Sequence, residues 1–503
     1  MSSSNCESHL LPNELWEDVF LQVNYPNVLR LKQTCRLFND IITASTKIEY
    51  YGELTMDGLI DTDTSDLSIK DRFDLLRERR FTWENLQWKK FPAESFPGLC
   101  HLYELAGGVY AALDANNDFT ALTLPTKTCE GSRKSYHLDF PARDFVMDPT
   151  QDLVVFLGGQ VANDPAIHLH VRTCESAGRR PHPHSEQSRL LVHSQGRPDA
   201  WMIQIADNHV ALAWNDDTET ELNIRIWNWK SGTLIHEQIL QDSGGRAQSF
   251  TFLSPKTFAI GFKRLSGYIS IWNLDSGTEV SRLHFPELVE GDRWVHRLSV
   301  DTPPFMARPR RNHTLMVSPT HRIHTFLLTY ARYASGWPSI RVYVPNGFLL
   351  SCAMPRSSER NGSNIDVPWE NWGPRNTWIR EAGLRDHHDL HYFGHGFRIL
   401  LPLAEDNRVR ILDFNMNQGI AEDLILSDCS AVSFTSPTTI SYPRLFKRDV
   451  VTYLPYTLRL RAFPGSLPTN TTLLRMDERH IVAIDLQKMF NAQSRVDVHT
   501  MAI

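Results

Sequence analysis

The densest group of chemically capable side chains is Asp386-His387-His388-Asp389-x-His391, followed by His395. Imidazole and carboxylate at this density suit zinc or iron, and His391 and His395 would share a face on a helix. The flanking Tyr392-Phe393-Gly394 and Gly396-Phe397-Arg398-Ile399 read as turn and strand, where that spacing gathers no ligands. A polar loop is expected there and no metal site; the H-E-x-x-H pattern is absent. His182 and His184 with Arg179 and Arg180, and Arg308 with Arg310 and Arg311, could meet phosphate or an acidic peptide. No aromatic interleaving accompanies either group, so both read as solvated basic insertions. Gly158-Gly159 and Gly244-Gly245 read as turns, outside any phosphate-binding loop, and no G-x-S-x-G elbow occurs. Cys35 falls in an apolar helical pattern and reads as an inert buried thiol. The chain is therefore expected to have no catalytic residues and no cofactor.

The elements that would position these residues are many. The chain has 503 residues, more than one ordinary core accommodates, with 41 % hydrophobic, 22 % charged and 10 % aromatic residues, as in a folded globular protein. Lys and Arg number 52 against 58 Asp and Glu, a net charge of −6, too mild to favour nucleic acid or an acidic membrane. Residues 1–9 have neither the charged nor the apolar region of a secretory signal and read as a disordered tail; no apolar run approaches a membrane span. The seven cysteines are odd in number, dispersed and without C-x-x-C spacing, which suits reduced thiols in the cytoplasm or nucleus.

Residues 10–50 read as a helical module. Pro12 presets a first turn, Glu14, Glu17 and Asp18 favour the positive helix end, and Leu11, Leu15, Val19 and Val23 recur every four residues beside Trp16 and Phe20. Tyr25-Pro26-Asn27 breaks the pattern, with Asn27 able to cap the next helix; Val28, Leu29, Leu31, Cys35, Phe38, Ile41 and Ile42 follow. So short a module buries only a small core and tends to need a partner. The order Leu11-Pro12-x-Glu14-Leu15, Val19-Phe20, Leu29-x-Leu31, Cys35-Arg36-x-Phe38 and Ile41-Ile42 resembles an F-box, with Phe38 where the family often has tryptophan. The resemblance implies docking onto a Skp-type adaptor and, through it, a cullin-based ubiquitin ligase. Leu11, Pro12, Leu15, Val19, Leu29, Leu31 and Ile42 match the motif's apolar positions and are the candidate adaptor-binding residues. Cys35 and Phe38 fit the internal core equally well.

Residues 51–98 read as a helical linker: Phe73, Leu76, Arg80, Trp83 and Leu86 fall at helical spacing, while Asp57 to Asp66 reads as an acidic surface loop. Trp83 and Trp88 beside Lys89 and Lys90 could stack on bases, but packing between domains is the expected role.

From Leu99 to Ile503 short apolar runs alternate with turn residues, as in strands. Ile224 to Gly232 (IRIWNWKSG) and Ile269 to Gly277 (ISIWNLDSG) echo each other, Trp227 and Trp272 standing 45 residues apart; VRILDFN at Val409 is a fainter copy. The spacing matches a WD-type blade of ~40–45 residues, with Asn228 and Asn273 where WD repeats carry aspartate. The expected fold is thus multidomain α plus all-β: an F-box, a helical linker and a degenerate propeller of six to eight blades, with a two-domain or sandwich β arrangement as the structural alternative. Thr173 to Arg189, Thr302 to His313 and Met354 to Trp378 read as insertions. The layout also resembles mushroom-type fungal F-box proteins, on WGPRNTW at Trp372, FGHGFRILL at Phe393 and MDERHIVAI at Met476.

These readings imply a non-catalytic substrate receptor of a Skp–cullin–F-box ligase that binds an unknown protein substrate through the β-rich domain. The alternative is a WD-type interaction scaffold outside ubiquitylation; a metal-dependent enzyme built around His387 to His395 is the distant third reading.

Overall fold

The computed structural model describes residues 11–502 apart from 63–66, 98–99, 128, 160–165, 193–200, 216–220, 242–246, 291–293, 307, 310–313, 332–337, 355–364, 384–393, 404–405, 417–428, 464–471 and 486–494. The tail read at residues 1–9 and the Asp386 to His391 group lie outside these.

Five helices lead the chain: α1 (Asn13–Leu21), α2 (Tyr25–Lys32), α3 (Arg36–Ala44), α4 (Thr46–Met56) and α5 (Ile69–Glu84). Their starts follow capping chemistry. Asn24 accepts from the Asn27 amide at α2, Ser45 from Ile48 at α4 and Ser68 from Asp71 at α5. The cap of α2 is thus Asn24 rather than Asn27. Pro26 fits inside the first turn, where its missing N–H would have had no helical partner. Phe20, Val28, Ile41, Ile42 and Ile48 form the small core of α1–α4, with Trp16 and Phe38 packed against it. Cys35 is exposed, a correction to its reading as a buried thiol: it occupies the extended N-cap of α3 and so lies off the helix's apolar face.

Seven sheets of four or five strands follow among the described residues, built mainly of antiparallel meanders, with Asp366–Val367 added parallel to the last strand of the fourth, and together they make a seven-blade propeller. Blades one to three span Cys100–His137, Ala142–Val192 and Trp201–Gln241. Blade four runs over Ala247–His284, blade five from Val295 to Glu381 and blade six from Gly394 to Ala462. Blade seven consists of Thr472–Met476, His480–Asp485 and Arg495–Ala502, completed by Lys89–Lys90 and Glu94–Pro97. Those two segments lie within the span read as helical linker. They are strands because the last blade needs an outer partner, and Glu94 pairs with Val498.

The repeated echoes all occupy the third strand of a blade: Glu221–Asn228 in blade three, Tyr268–Asn273 in blade four and Arg408–Asp413 in blade six. Asn228 Oδ1 accepts from the Lys230 amide at 3.0 Å and Asn273 Oδ1 from Ser276 at 3.0 Å. The turn needs only an acceptor oxygen, so asparagine serves where WD repeats carry aspartate. Gly232 and Gly277 close these turns at φ +73° and +64°.

The insertions are built into the fold. In the segment Thr173 to Arg189, His182 is 3 % exposed, with Nε2 2.9 Å from the Gln151 carbonyl, while Arg179, Arg180 and His184 remain on the surface. That stretch is therefore only partly a solvated loop. Near the third insertion a short helix, α6 (Asn346–Cys352), follows the third strand of blade five. Beyond it α7 (Trp369–Asn376) wedges against blade four, Trp372 Nε1 donating to the His284 carbonyl at 2.8 Å.

Candidate functional site

In the helical module, periodicity sets two faces of α1 against each other. Trp16 and Phe20 turn inward onto Phe38, with ring centroids 4.9 and 5.1 Å from it. Leu15 and Val19, one turn apart, face outward at 48 % and 44 % exposure; Leu11 ahead of the helix is 45 % exposed and Leu29 on α2 43 %. Pro12, the N-cap of α1, is exposed beside them. Of the remaining candidates, Leu31 is half-buried against the core and Ile42, 6 % exposed, belongs to it. The structure thus divides the seven motif positions into an exposed set of five and an internal pair, a division that depends on helix phase across three packed helices.

The module is joined to the propeller through α4 and α5. Leu59–Asp61 pairs as a strand with Leu315–Val317 of the connection between the first two strands of blade five. Part of the span read as an acidic loop is therefore a strand, fixed by a partner distant in sequence. Asp57 and Glu53 receive Arg80, and Arg79 meets Glu478 at 3.2 Å. Burial raises the Glu478 carboxyl, the Arg79 charge opposing it. Trp83 and Leu86 enter a cluster with Leu400, Ile411, Cys429 and Met501 of blades six and seven. Arg398 lies over the Trp83 ring at 4.6 Å and Arg461 over Trp88 at 5.4 Å, so both tryptophans serve packing between the linker and the propeller.

At the same end of the propeller a connection of blade five enters the central channel. Successive first strands line the channel, and the turns to the second strands mark one rim: Gly107-Gly108, Asp207, Gly396-Phe397 and Asp477 to Arg479. In blade five this turn is the long connection from Thr302 to Arg322, which folds inward. Thr302 to Phe305 line a cavity with Glu104, Met147, Gln204 and Phe252, first-strand residues of blades one to four. Arg322 donates to the carbonyls of Phe252 at 2.9 Å, Leu253 at 3.2 Å and Pro303 at 3.3 Å, its guanidinium 4.9 Å from the Phe305 ring centre. Burial lowers it to about 9. Glu104 accepts from the Met147 amide at 2.9 Å, and burial raises its carboxyl well above the ordinary range. Arg308, further along, pairs with Asp207 at 3.0 Å. Thr302 to Phe305 are thus an inward plug, while Arg308 is exposed, as read for a solvated basic loop; Arg310 and Arg311 lie outside the described residues.

His395 sits in a two-residue strand, held neutral by burial with a pKa of about 4. Among the described residues no group of three or more His, Cys, Asp or Glu side chains could hold a metal ion, and no helix is long and apolar enough to cross a membrane.

Residues 9–48 match the F-box domain family. No curated protein matches the chain. Among solved structures, the β-propeller domain of Myceliophteria thermophila Cps50 (Swd1) covers 82 % of this chain and 99 % of its own, at 8 % identity and a TM-score of 0.40. The WD40 domain of SCAP from fission yeast covers 82 % and 98 %, at 8 % identity and 0.36. The WD40 domain of Toxoplasma gondii coronin covers 83 % and 86 %, at 9 % identity and 0.37. The seven blades themselves, counted from strand pairing, carry the fold assignment. Residues 9–48 are thus an F-box domain, and the strands from Lys89 onward form a seven-blade β-propeller.

Proposed function

We propose that this chain is the substrate receptor of a Skp–cullin–F-box ubiquitin ligase, docking a Skp-type adaptor through its F-box and a protein substrate through its propeller. The observation that carries the reading is the exposed apolar row Leu11, Leu15, Val19 and Leu29 on an F-box core too small to cover it. Apolar surface of this kind is stabilised by a partner that removes it from water. Pro12 belongs to the same docking face. The chain's own contribution is positional: it raises the effective concentration of substrate near transfer machinery held by other subunits, with no chemistry of its own. The contacts of α5 with blades six and seven support this role, because a fixed linker fixes where the substrate sits.

The test is retention of the full chain on an immobilised Skp-type adaptor, with co-precipitation of a cullin as the second readout. Leu11→Ala with Pro12→Ala abolishes both in this reading. Unchanged retention of that double variant overturns it.

A further inference from the structure

The helical linker and the plug occupy one end of the propeller, so a partner reaching the propeller along its axis must approach the other end. That end carries the turns between second and third strands and the starts of the first strands. In blade four the turn is Arg264 to Gly267, closed by the Gly267 amide donating to the Arg264 carbonyl at 2.8 Å. Its second residue, Leu265, stands at φ +52°. Glycine and asparagine occupy such a position without difficulty, whereas leucine is held there against its own backbone preference.

This leucine is 75 % exposed, the most exposed large hydrophobic side chain among the described residues. It thus combines an unfavourable backbone conformation with an apolar side chain left in water, and neither aids the turn. Next to it the Val295 amide donates to the Leu265 carbonyl at 3.2 Å, which brings Trp294, 42 % exposed, alongside. Arg264 beside Leu265, and His296 and Arg297 beside Trp294, are exposed; of the exposed acids described in the connection before them, Glu287 pairs with Lys447 and Glu290 stands nearer in sequence. Neither Arg264 nor Arg297 forms an ion pair among the described residues. An apolar centre with a cationic rim is complementary to an apolar side chain flanked by carboxylates, which paired guanidinium groups can hold.

Resting on the receptor reading above, we propose that this patch binds a peptide segment of that composition: a bulky apolar side chain between acidic residues, anchored on Leu265 and Trp294 and steered by Arg264 and Arg297.

The test is fluorescence polarisation of the full chain with three labelled peptides. One alternates Asp and Ser around a central Leu-Phe pair, the second replaces Asp by Lys, and the third replaces Leu-Phe by Ala-Ala. The first is expected to bind about tenfold more tightly than either of the others. Arg264→Glu with Arg297→Glu should transfer the preference to the lysine peptide. Leu265→Gly should weaken binding about tenfold without lowering Tm, because glycine suits the positive φ. Equal binding of the three peptides, no binding at all, or unchanged affinity in these variants overturns the proposal. So does a fall in Tm for Leu265→Gly, which would assign the leucine to folding. Retention on the Skp-type adaptor stays at the wild-type level in every one of these variants. Loss of peptide binding alone therefore tells against this patch, and failure of retention in the wild-type chain tells against the receptor reading.

Discussion

Arg461 of blade six donates from Nη1 to the carbonyl oxygen of Leu86 at 2.7 Å, directly beyond the last turn of the linker helix α5. The same nitrogen reaches the Asn85 carbonyl at 3.1 Å, and Arg459 takes the Glu84 carbonyl at 3.1 Å. Three successive carbonyls at the negative end of a helix are thus met by two guanidinium groups from one strand of the propeller, an arrangement favoured by both hydrogen bonding and the helix dipole.

Replacement of Arg461 by alanine should therefore cost about 1–3 kcal/mol, the scale of charge-assisted hydrogen bonds lost from a partly buried site. The expected signature is a lower Tm together with faster hydrogen exchange at residues 84–88. Adaptor retention should be unaffected, since the F-box core contains none of these groups. A variant with wild-type exchange at 84–88 would show that Trp83 and Leu86 hold the linker without the arginines.

Closure of the propeller depends on a strand from ahead of the first blade. Phe96 in that strand is buried, edge-on to Tyr110 at 5.2 Å with the Arg133 guanidinium over its ring at 4.9 Å. Phe96→Ala is expected to destabilise the propeller by about 3–5 kcal/mol, whereas the exposed neighbour Glu94→Ala should change stability by no more than about 0.5 kcal/mol. Denaturant titration of the two variants separates the outcomes, and equal midpoints would mean that closure contributes nothing.

The limits of what the chain discloses follow from range. Turns at Asn228 and Asn273 and the helices from Asn13 to Ala44 are specified by residues within a few positions of one another, and they are legible in the sequence. The strand at Glu94 is specified by Val498, so local reading extends the helical linker over it. Blade six is obscured for another reason. Its first strand is only Gly394–His395, and Cys429–Phe434 adds a fifth strand beyond the fourth, Tyr456–Ala462. At the candidate site, the apolar positions from Leu11 to Ile42 are readable as a set. Their division into exposed and internal members requires the packing of α1 on α3. The backbone of Leu265 leaves no trace in Lys263-Arg264-Leu265-Ser266-Gly267.

The plug is held by a second buried network, and this one gives a pH dependence. Thr251 donates to Thr302 at 3.2 Å; Thr302 lies 2.8 Å from His324 Nδ1, and His324 Nε2 lies 2.8 Å from Asn346 Oδ1. Asn346 Nδ2 in turn donates to the Leu253 carbonyl at 3.0 Å, leaving Oδ1 to accept from the neutral Nε2–H tautomer. Burial, with the nearby Arg322 charge, lowers His324 from 6.5 to about 3. The folded state therefore binds fewer protons than the unfolded chain. The associated stability is present above about pH 6.5 and is lost as pH falls toward 3. At pH 4.5 the loss from this group should be on the order of 2–3 kcal/mol. Tm measured for wild type and His324→Gln at pH 7 and pH 4.5 provides the check. The variant should lose less Tm between the two, retaining the share due to His170 and His395, which burial also holds low, at about 3 and about 4. Parallel pH dependence in both proteins would remove His324 from the account.

The F-box offers the sharpest separation of folding from docking, because neighbouring positions of one helix face different ways, Val19 outward and Phe20 inward. Phe20→Ala opens a cavity beneath Phe38 and should cost about 3–5 kcal/mol, weakening adaptor binding only by unfolding the module. Leu15→Ala with Leu29→Ala removes exposed surface, so the helices should melt within about 1 kcal/mol of wild type. In a docked complex the same two side chains are anchors, and truncating each should cost about 2 kcal/mol of binding or more. Thermal unfolding and adaptor affinity measured on both variants give a crossed pattern, stability lost in one and affinity in the other. If Leu15→Ala with Leu29→Ala binds the adaptor as wild type does, the exposed row is ordinary surface and the docking face lies elsewhere on the module.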